Sequence, residues 1–171
     1  KYLCPRDFRR GEMEEKMIKL LRVDHRLLHG QVAFSWTSKL SADCILIASD
    51  AVMNDDLRKM SIKLAKPTGV KLVIKNIADA VNAINSGVTD KYKLFIVVES
   101  IKDAKTIAEA CNIKAVNLGG TKATDETRNI SKAMNVTKEE EQMIRDMVSE
   151  GIKVDIRMVP TDKSLDALSA L

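Results

Sequence analysis

An acid, two histidines, an arginine and a glycine fall within seven consecutive residues, Asp24-His25-Arg26-Leu27-Leu28-His29-Gly30, and both histidines of the chain are among them. A mostly apolar run at 18–23 leads into this stretch and a helical pattern at 30–40 leaves it, so the cluster occupies one strand-to-helix turn. His29 stands at the amino end of that helix, where free backbone N–H groups favour an anion. An unprotonated imidazole is a nucleophile, and a phosphoryl group accepted by His29 would lie against the helix terminus. Arg26 offers planar, paired donors to the same oxygens. Gly30 permits close backbone approach. Asp24 can orient an imidazole through a ring N–H and so fix which nitrogen reacts. Together these parts suit phosphoryl transfer, which depends mainly on positioning and charge stabilisation.

Two other readings of the same turn stand beside this one. A histidine and an arginine in a surface turn are often only solvated or capping groups. His25 and His29 also have HxxxH spacing, which on a helix puts two metal ligands on one face. Arg26 sits between them, however, and no third ligand is obvious in the sequence. Neither a metal nor any other cofactor is expected.

The turn has to be held by a fold, and the rest of the chain alternates strand and helix. Strands are predicted at 18–23, 44–49, 70–75, 93–99 and 115–118, followed by looser strand patterns at 129–136 and 152–158. Helices are predicted at 31–40, at 77–84 closed by Asn85-Ser86-Gly87, and up to Ala110 after a cap at Ser100 or Asp103. Another is predicted after an N-cap at Asn54, stopped by Pro67-Thr68-Gly69, and two more at 138–149 and 163–170. Leu94-Phe95-Ile96-Val97-Val98 is the most apolar run and the candidate central strand. Val32, Trp36 and Leu40 share a helix face, which makes Trp36 a core residue. This order implies a single-domain α/β fold: an open, mainly parallel sheet with right-handed crossovers, helices on both faces, and an antiparallel edge strand near the C-terminus. Such folds gather ligands at the carboxyl ends of strands where strand order reverses, and the Asp24–Gly30 turn follows the first strand.

Composition bounds the function. The chain has 171 residues, enough for one domain with a real core; 45% of them are hydrophobic and 30% charged, a globular balance. Aromatic content of 4% argues against a base-stacking nucleic-acid platform, and a net charge of +4 is too mild to imply a polyanion partner, though it suits docking to a modestly acidic protein. No run of about 18 apolar residues and no secretory h-region occurs. Cys4, Cys44 and Cys111 form no CxxC pair; the latter two sit where small buried hydrophobes belong, and reduced thiols are expected. Residues 1–16 are polar and irregular and carry Pro5 and Gly11, and read as a non-native or disordered leader, with the domain over 17–171.

The stretch Arg22-Val23-Asp24-His25-Arg26-Leu27-Leu28-His29-Gly30-Gln31-Val32 closely resembles a known active-site signature. It is that of the IIB component of the mannose/fructose/sorbose family of the bacterial phosphoenolpyruvate:sugar phosphotransferase system (PTS). There an Arg-Leu-Ile/Leu-His-Gly-Gln-Val turn carries the phosphorylated histidine. The resemblance continues through residues 50–67, through Asn117-Leu118-Gly119-Gly120-Thr121 and through Ile130-Ser131-Lys132-Ala133, and covers 17–171. It implies that His29 is the phosphorylated nucleophile, Arg26 the phosphate-binding arginine and Asp24 the supporting acid, with His25, Gly30 and Gln31 completing the turn. Many members carry a second acid where this chain has His25, which makes His25 an orienting or anion-binding group.

The resemblance further implies a cytoplasmic sugar phosphotransferase subunit peripherally associated with the inner face of the membrane. His29 would take a phosphoryl group at Nδ1 from a phosphohistidine on IIA and pass it to a sugar held by the membrane subunits IIC and IID. A homodimer is implied, and neither metal, nucleotide nor nucleic acid. The competing reading is a non-enzymatic anion- or phosphoprotein-binding module of the same fold. Gly119-Gly120-Thr121 is either a phosphate cradle or a plain turn. Asn54-Asp55-Asp56 and Glu139-Glu140-Glu141 are read as helix starts, and Arg58 and Arg128 as possible extensions of the positive surface around the active turn.

Overall fold

A computed structural model of the chain describes residues 17–171. The leader expected at 1–16 and Cys4 lie outside them. Strands β1 (Ile18–Asp24), β2 (Cys44–Ala48), β3 (Lys71–Lys75), β4 (Leu94–Val98), β5 (Ala115–Gly120), β8 (Lys153–Ile156) and β9 (Leu165–Asp166) form one sheet in the order β3-β2-β4-β1-β5-β8-β9. Every neighbouring pair is parallel except β8 and β9, which are antiparallel at the C-terminal edge, as the sequence led us to expect. All five residues of β2 and of β4 are buried, so both strands are covered on the two faces and need no polar alternation. The apolar run 94–98 is thus interior, while β1 takes the middle position.

The helices sort by the direction of the crossover they make. Helix α1 (Gly30–Leu40) and the pair α2 (Asp50–Met53) and α3 (Asp56–Leu64) lie on crossovers that step toward the β3 edge. Helices α4 (Ile77–Asn85), α5 (Ile101–Ala110) and α6 (Lys138–Ser149) lie on crossovers that step toward the β9 edge. Right-handed connections therefore put the two sets on opposite faces. The core divides accordingly. One cluster packs Ala33, Trp36, Val52 and Ile62 beneath α1 and α3; the larger packs Ala80, Ile84, Ala104, Ile107, Ile144 and Met147 beneath α4, α5 and α6. Cys44 and Cys111 are buried. The direction of winding reverses between β1 and β5, and the first turn leaves the carboxyl end of β1 at this place.

Several boundaries differ from the sequence reading for identifiable reasons. Ser49 caps a short α2 that the sequence did not suggest, and α3 is capped by Asp55, whose side chain accepts from Arg58 N, and not by Asn54. Residues 129–136 are two strands, β6 (Arg128–Ser131) and β7 (Met134–Val136), folded into an antiparallel hairpin. The last predicted strand stops at Ile156, and the predicted helix at 163–170 is divided into β9 and α7 (Ala167–Ala170). Edge pairing to β8 overrides helical propensity there. Of the two cap candidates for α5, Ser100 is the cap, and Thr137 with Glu140 closes a capping box at the acid-rich start of α6. Among the described residues no helix is long and apolar enough to cross a membrane.

Candidate active site

Strand β1 ends where Asp24 lies opposite Gly120 and His25 N donates to Gly120 O at 3.1 Å. The chain then reverses tightly: Leu27 N donates to Asp24 O at 2.8 Å, and Leu27 takes the left-handed conformation, φ 58°, that a leucine rarely adopts. Leu27 and Leu28 are buried, so apolar anchoring under the turn offsets that strain. Gly30 follows with φ 40° and opens α1. His29 is the N-cap residue of α1 in extended conformation, yet its side chain makes no cap hydrogen bond, and no acid occupies the first helical turn. The first N–H groups of α1 are left to face solvent with the positive end of the helix.

The imidazole of His29 turns back to the acid. Its Nε2 lies 3.1 Å from Asp24 Oδ2. Asp24 is fully buried and collects donors on both oxygens. Oδ1 accepts from Arg26 N at 3.0 Å, with Arg26 Nε at 3.5 Å, and Oδ2 accepts from Arg22 Nη2 at 3.3 Å in addition to facing His29. Burial is the largest influence on this carboxyl and pushes its pKa up. The His29 hydrogen bond, the Arg26 N–H and the Arg22 charge together outweigh it and hold Asp24 below the ordinary carboxylate value. An ionised Asp24 can only accept, so His29 Nε2 carries the proton. In the neutral imidazole Nδ1 is then the ring nitrogen with the lone pair, and it makes no hydrogen bond among the described residues. Arg26 is half-exposed, and apart from its contact with Asp24 its guanidinium makes no bond among the described residues.

The candidate residues do not all converge. Asp24, Arg26, His29 and Gly30 come together as read from sequence, and Gln31 is exposed in the first turn of α1. His25 points elsewhere. Its Nδ1 is buried without a hydrogen-bond partner among the described residues, on the side of Gly120, where an added Cβ would stand 3.9 Å from it. The HxxxH spacing is not on a helix, because the turn at Leu27 separates the two histidines. Arg58 is paired with Glu99 at 3.0 Å, and Arg128 with Glu141 and the Leu171 carbonyl; among the described residues neither makes a hydrogen bond or ion pair with the turn. Gly119 and Gly120 are neither cradle nor turn but the last residues of β5.

Three residues missed by the sequence reading support the turn from below. Arg22, in β1, is fully buried and reaches Asn117 Oδ1 at 2.6 Å, Arg157 O at 2.9 Å and Met158 O at 2.9 Å. Asn117, in the adjacent strand β5, is also fully buried. Arg157 approaches the ring of Trp36, its guanidinium carbon 5.3 Å from the centroid, and Arg22 does the same at 5.1 Å. Trp36 is core, as expected, with its Nε1 donating to Met158 O at 2.9 Å. The available signal was a charge or an amide inside an apolar strand: Arg22 within 18–23 and Asn117 within 115–118.

The family model described as "PTS system sorbose subfamily IIB component" matches residues 18–171. A sorbose-specific EIIB component of the PTS from Lacticaseibacillus casei is 32% identical over 156 residues, which cover 91% of this chain and 95% of that protein. The mannose-specific EIIAB component of Escherichia coli K12 is 26% identical over 162 residues, 94% of this chain but 50% of that longer protein. The crystal structure of the IIBSor domain of the Klebsiella pneumoniae sorbose permease superposes with a TM-score of 0.85 at 28% identity, covering 90% of this chain and 94% of that one.

Proposed function

This chain belongs to the sorbose-subfamily IIB components of the phosphotransferase system, and from that premise we propose that His29 Nδ1 is the atom that carries the phosphoryl group. The carrying observation is the contact of His29 Nε2 with a buried, ionised Asp24, at the start of a helix whose N-cap side chain makes no cap hydrogen bond. In the transfer, the lone pair of His29 Nδ1 forms a bond to phosphorus as the N–P bond of a donor phosphohistidine breaks. The electron pair of that bond leaves with the donor imidazole, and no proton has to be exchanged. The His29 ring gains positive charge as the bond forms, and Asp24 faces that charge through Nε2–H. The phosphoryl oxygens lie toward the first N–H groups of α1 and the exposed guanidinium of Arg26. In the second transfer a sugar hydroxyl oxygen forms a bond to phosphorus as the His29 N–P bond breaks; the electron pair returns to Nδ1, and the hydroxyl proton passes to a base on the acceptor side or to water.

The donor in this proposal is a phosphorylated IIA protein, a partnership supported by the mannose-specific EIIAB relative, of which this chain matches half. The acceptor is a sugar held by membrane IIC and IID subunits, so the protein works at the inner face of the membrane, as a homodimer. His25, whose Nδ1 is buried on the side of Gly120, holds no phosphoryl oxygen in this scheme, and Gly30 and Gln31 supply backbone to the turn.

Intact-mass spectrometry after incubation with phosphoenolpyruvate, the general phosphotransfer proteins and a matching IIA tests the assignment. Gain of one acid-labile phosphoryl group by wild type and by His25→Ala, and none by His29→Ala, is expected. Loss in His25→Ala alone would move the reacting atom to the other histidine. No gain with a competent donor would leave an anion-binding module as the better account.

A further inference from the structure

We infer that Arg22 is a positioning residue for the transfer: its buried guanidinium fixes the carboxylate of Asp24, and through it the tautomer and aim of the His29 imidazole. The inference rests on the reading of His29 as the phosphoryl carrier. Among the described residues Arg22 has one carboxylate partner, and it is the one that His29 uses. Both contacts meet on a single oxygen, Asp24 Oδ2, at 3.3 Å from Arg22 Nη2 and 3.1 Å from His29 Nε2. The direction in which that oxygen faces the imidazole is therefore set from behind by the arginine.

The arginine is itself over-determined. Nη1 donates to Asn117 Oδ1 and Arg157 O, and Nη2 donates to Met158 O as well as to Asp24. The planar fork matches four acceptors at once, an arrangement that a lysine ammonium cannot reproduce. Asn117 is held in turn, with Nδ2 donating to Asp155 Oδ1 at 3.2 Å, and Asp155 accepts from Arg157 Nε at 3.0 Å. Met158 O accepts from both Arg22 and Trp36 Nε1, so one carbonyl ties the strand that carries Asp24 to the helix that His29 opens. Room for the guanidinium is made by Gly119. A Cβ there would lie 2.0 Å from Arg22 Cζ, although the backbone at Gly119 is not in a conformation that demands glycine. The strand has given up a side chain to admit a charge.

Burying a charge that serves packing alone is a poor bargain, since an apolar side chain of similar volume is often as stabilising. A guanidinium aimed at the acid behind the reacting imidazole has a use that an apolar residue could not supply. Small misplacements of reacting groups cost roughly a hundredfold in rate.

The test reads the His29 ring directly, through its two nitrogen shifts in long-range proton–nitrogen NMR spectra at neutral pH. Wild type is expected to hold the Nε2–H tautomer. Arg22→Gln and Arg22→Lys are expected to populate both tautomers and to slow phosphoryl uptake by roughly tenfold or more, with no rescue by the lysine. Gly119→Ala, which displaces the guanidinium without removing it, is expected to shift the same signals and decides the matter if the Arg22 variants do not fold. Folded variants with the wild-type tautomer and wild-type uptake would overturn the inference. The tautomer measurement needs no donor, so it stands apart from the phosphocarrier reading, which fails only if wild type takes up no phosphoryl group on His29.

Discussion

Strands β1 and β4 are parallel neighbours that end at the same edge of the sheet, and each leads into a helix, yet their turns are built to opposite ends. After β4 only Glu99 and Ser100 intervene; Ser100 caps α5 by accepting from Asp103 N at 3.1 Å, and Asp103 supplies an acid to the first turn. That helix start is closed. After β1 residues 25–29 intervene, with Leu27 left-handed, a cap residue whose side chain ignores the helix, and no acid in the first turn. The imidazole that could sit over the helix start is instead turned back onto Asp24. The difference leaves the start of α1 without a side-chain cap from His29 or an acid in its first turn, the arrangement that the proposed phosphoryl site needs.

The contrast can be broken by giving the first turn the chemistry of the other. His29→Ser supplies a hydroxyl of the kind that closes α5. It should abolish phosphoryl uptake by intact mass while stability in urea stays within about 1 kcal/mol of wild type, a new cap offsetting the lost bond to Asp24. A phosphoryl group still present on this variant would place the chemistry elsewhere.

Asp24→Asn attacks the buried side of the same turn. Arg22 would lose its carboxylate, and equilibrium unfolding should show a loss of about 3–5 kcal/mol. The pH dependence follows from the depressed native pKa of Asp24. Its contribution is present above the ordinary unfolded value of about 3.9 and is lost as the pH falls through the lower native value. The stability gap between wild type and Asp24→Asn should therefore close in acid. A gap unchanged from neutrality to strong acid would mean that the carboxylate charge is not what holds the site.

Arg26→Ala probes the exposed side, where the guanidinium is half in solvent. Uptake should slow by about a hundredfold, the scale for removing one charge-stabilising donor, while unfolding changes by less than about 1 kcal/mol. An equal effect on both would make Arg26 a structural residue. The smallest effect belongs to the control turn. Ser100→Ala should cost about 1 kcal/mol in urea and leave the phosphorylation rate as it was, and a slowed rate would show that the two turns are coupled.

The cluster proposed as the site was legible because it is local. Asp24, Arg26, His29 and Gly30 lie within one turn of chain, and alternating apolar runs marked the strand before it and the helix after it. His25 misled as a partner, since adjacency in sequence does not fix which way a side chain leaves a tight turn; its Nδ1 faces Gly120. The glycine pair at 119–120 was read as a phosphate cradle or a turn because glycine usually punctuates loops. At Gly119 the glycine instead makes space for Arg22, which lies on another strand.

Strand and helix alternation, the parallel sheet, the antiparallel edge and the clustering of Asp24, Arg26, His29 and Gly30 in the first turn were determined by the sequence alone, since hydrophobic period and turn composition act over a few residues. Only the tertiary structure decided the strand order, and with it what lies behind the turn. Arg22 meets Asn117, Arg157 and Met158 across separations of 95, 135 and 136 residues. Those contacts exist because β5 pairs with β1 and β8 with β5, and pairing between distant strands depends on how the whole sheet closes its hydrogen bonds and its core.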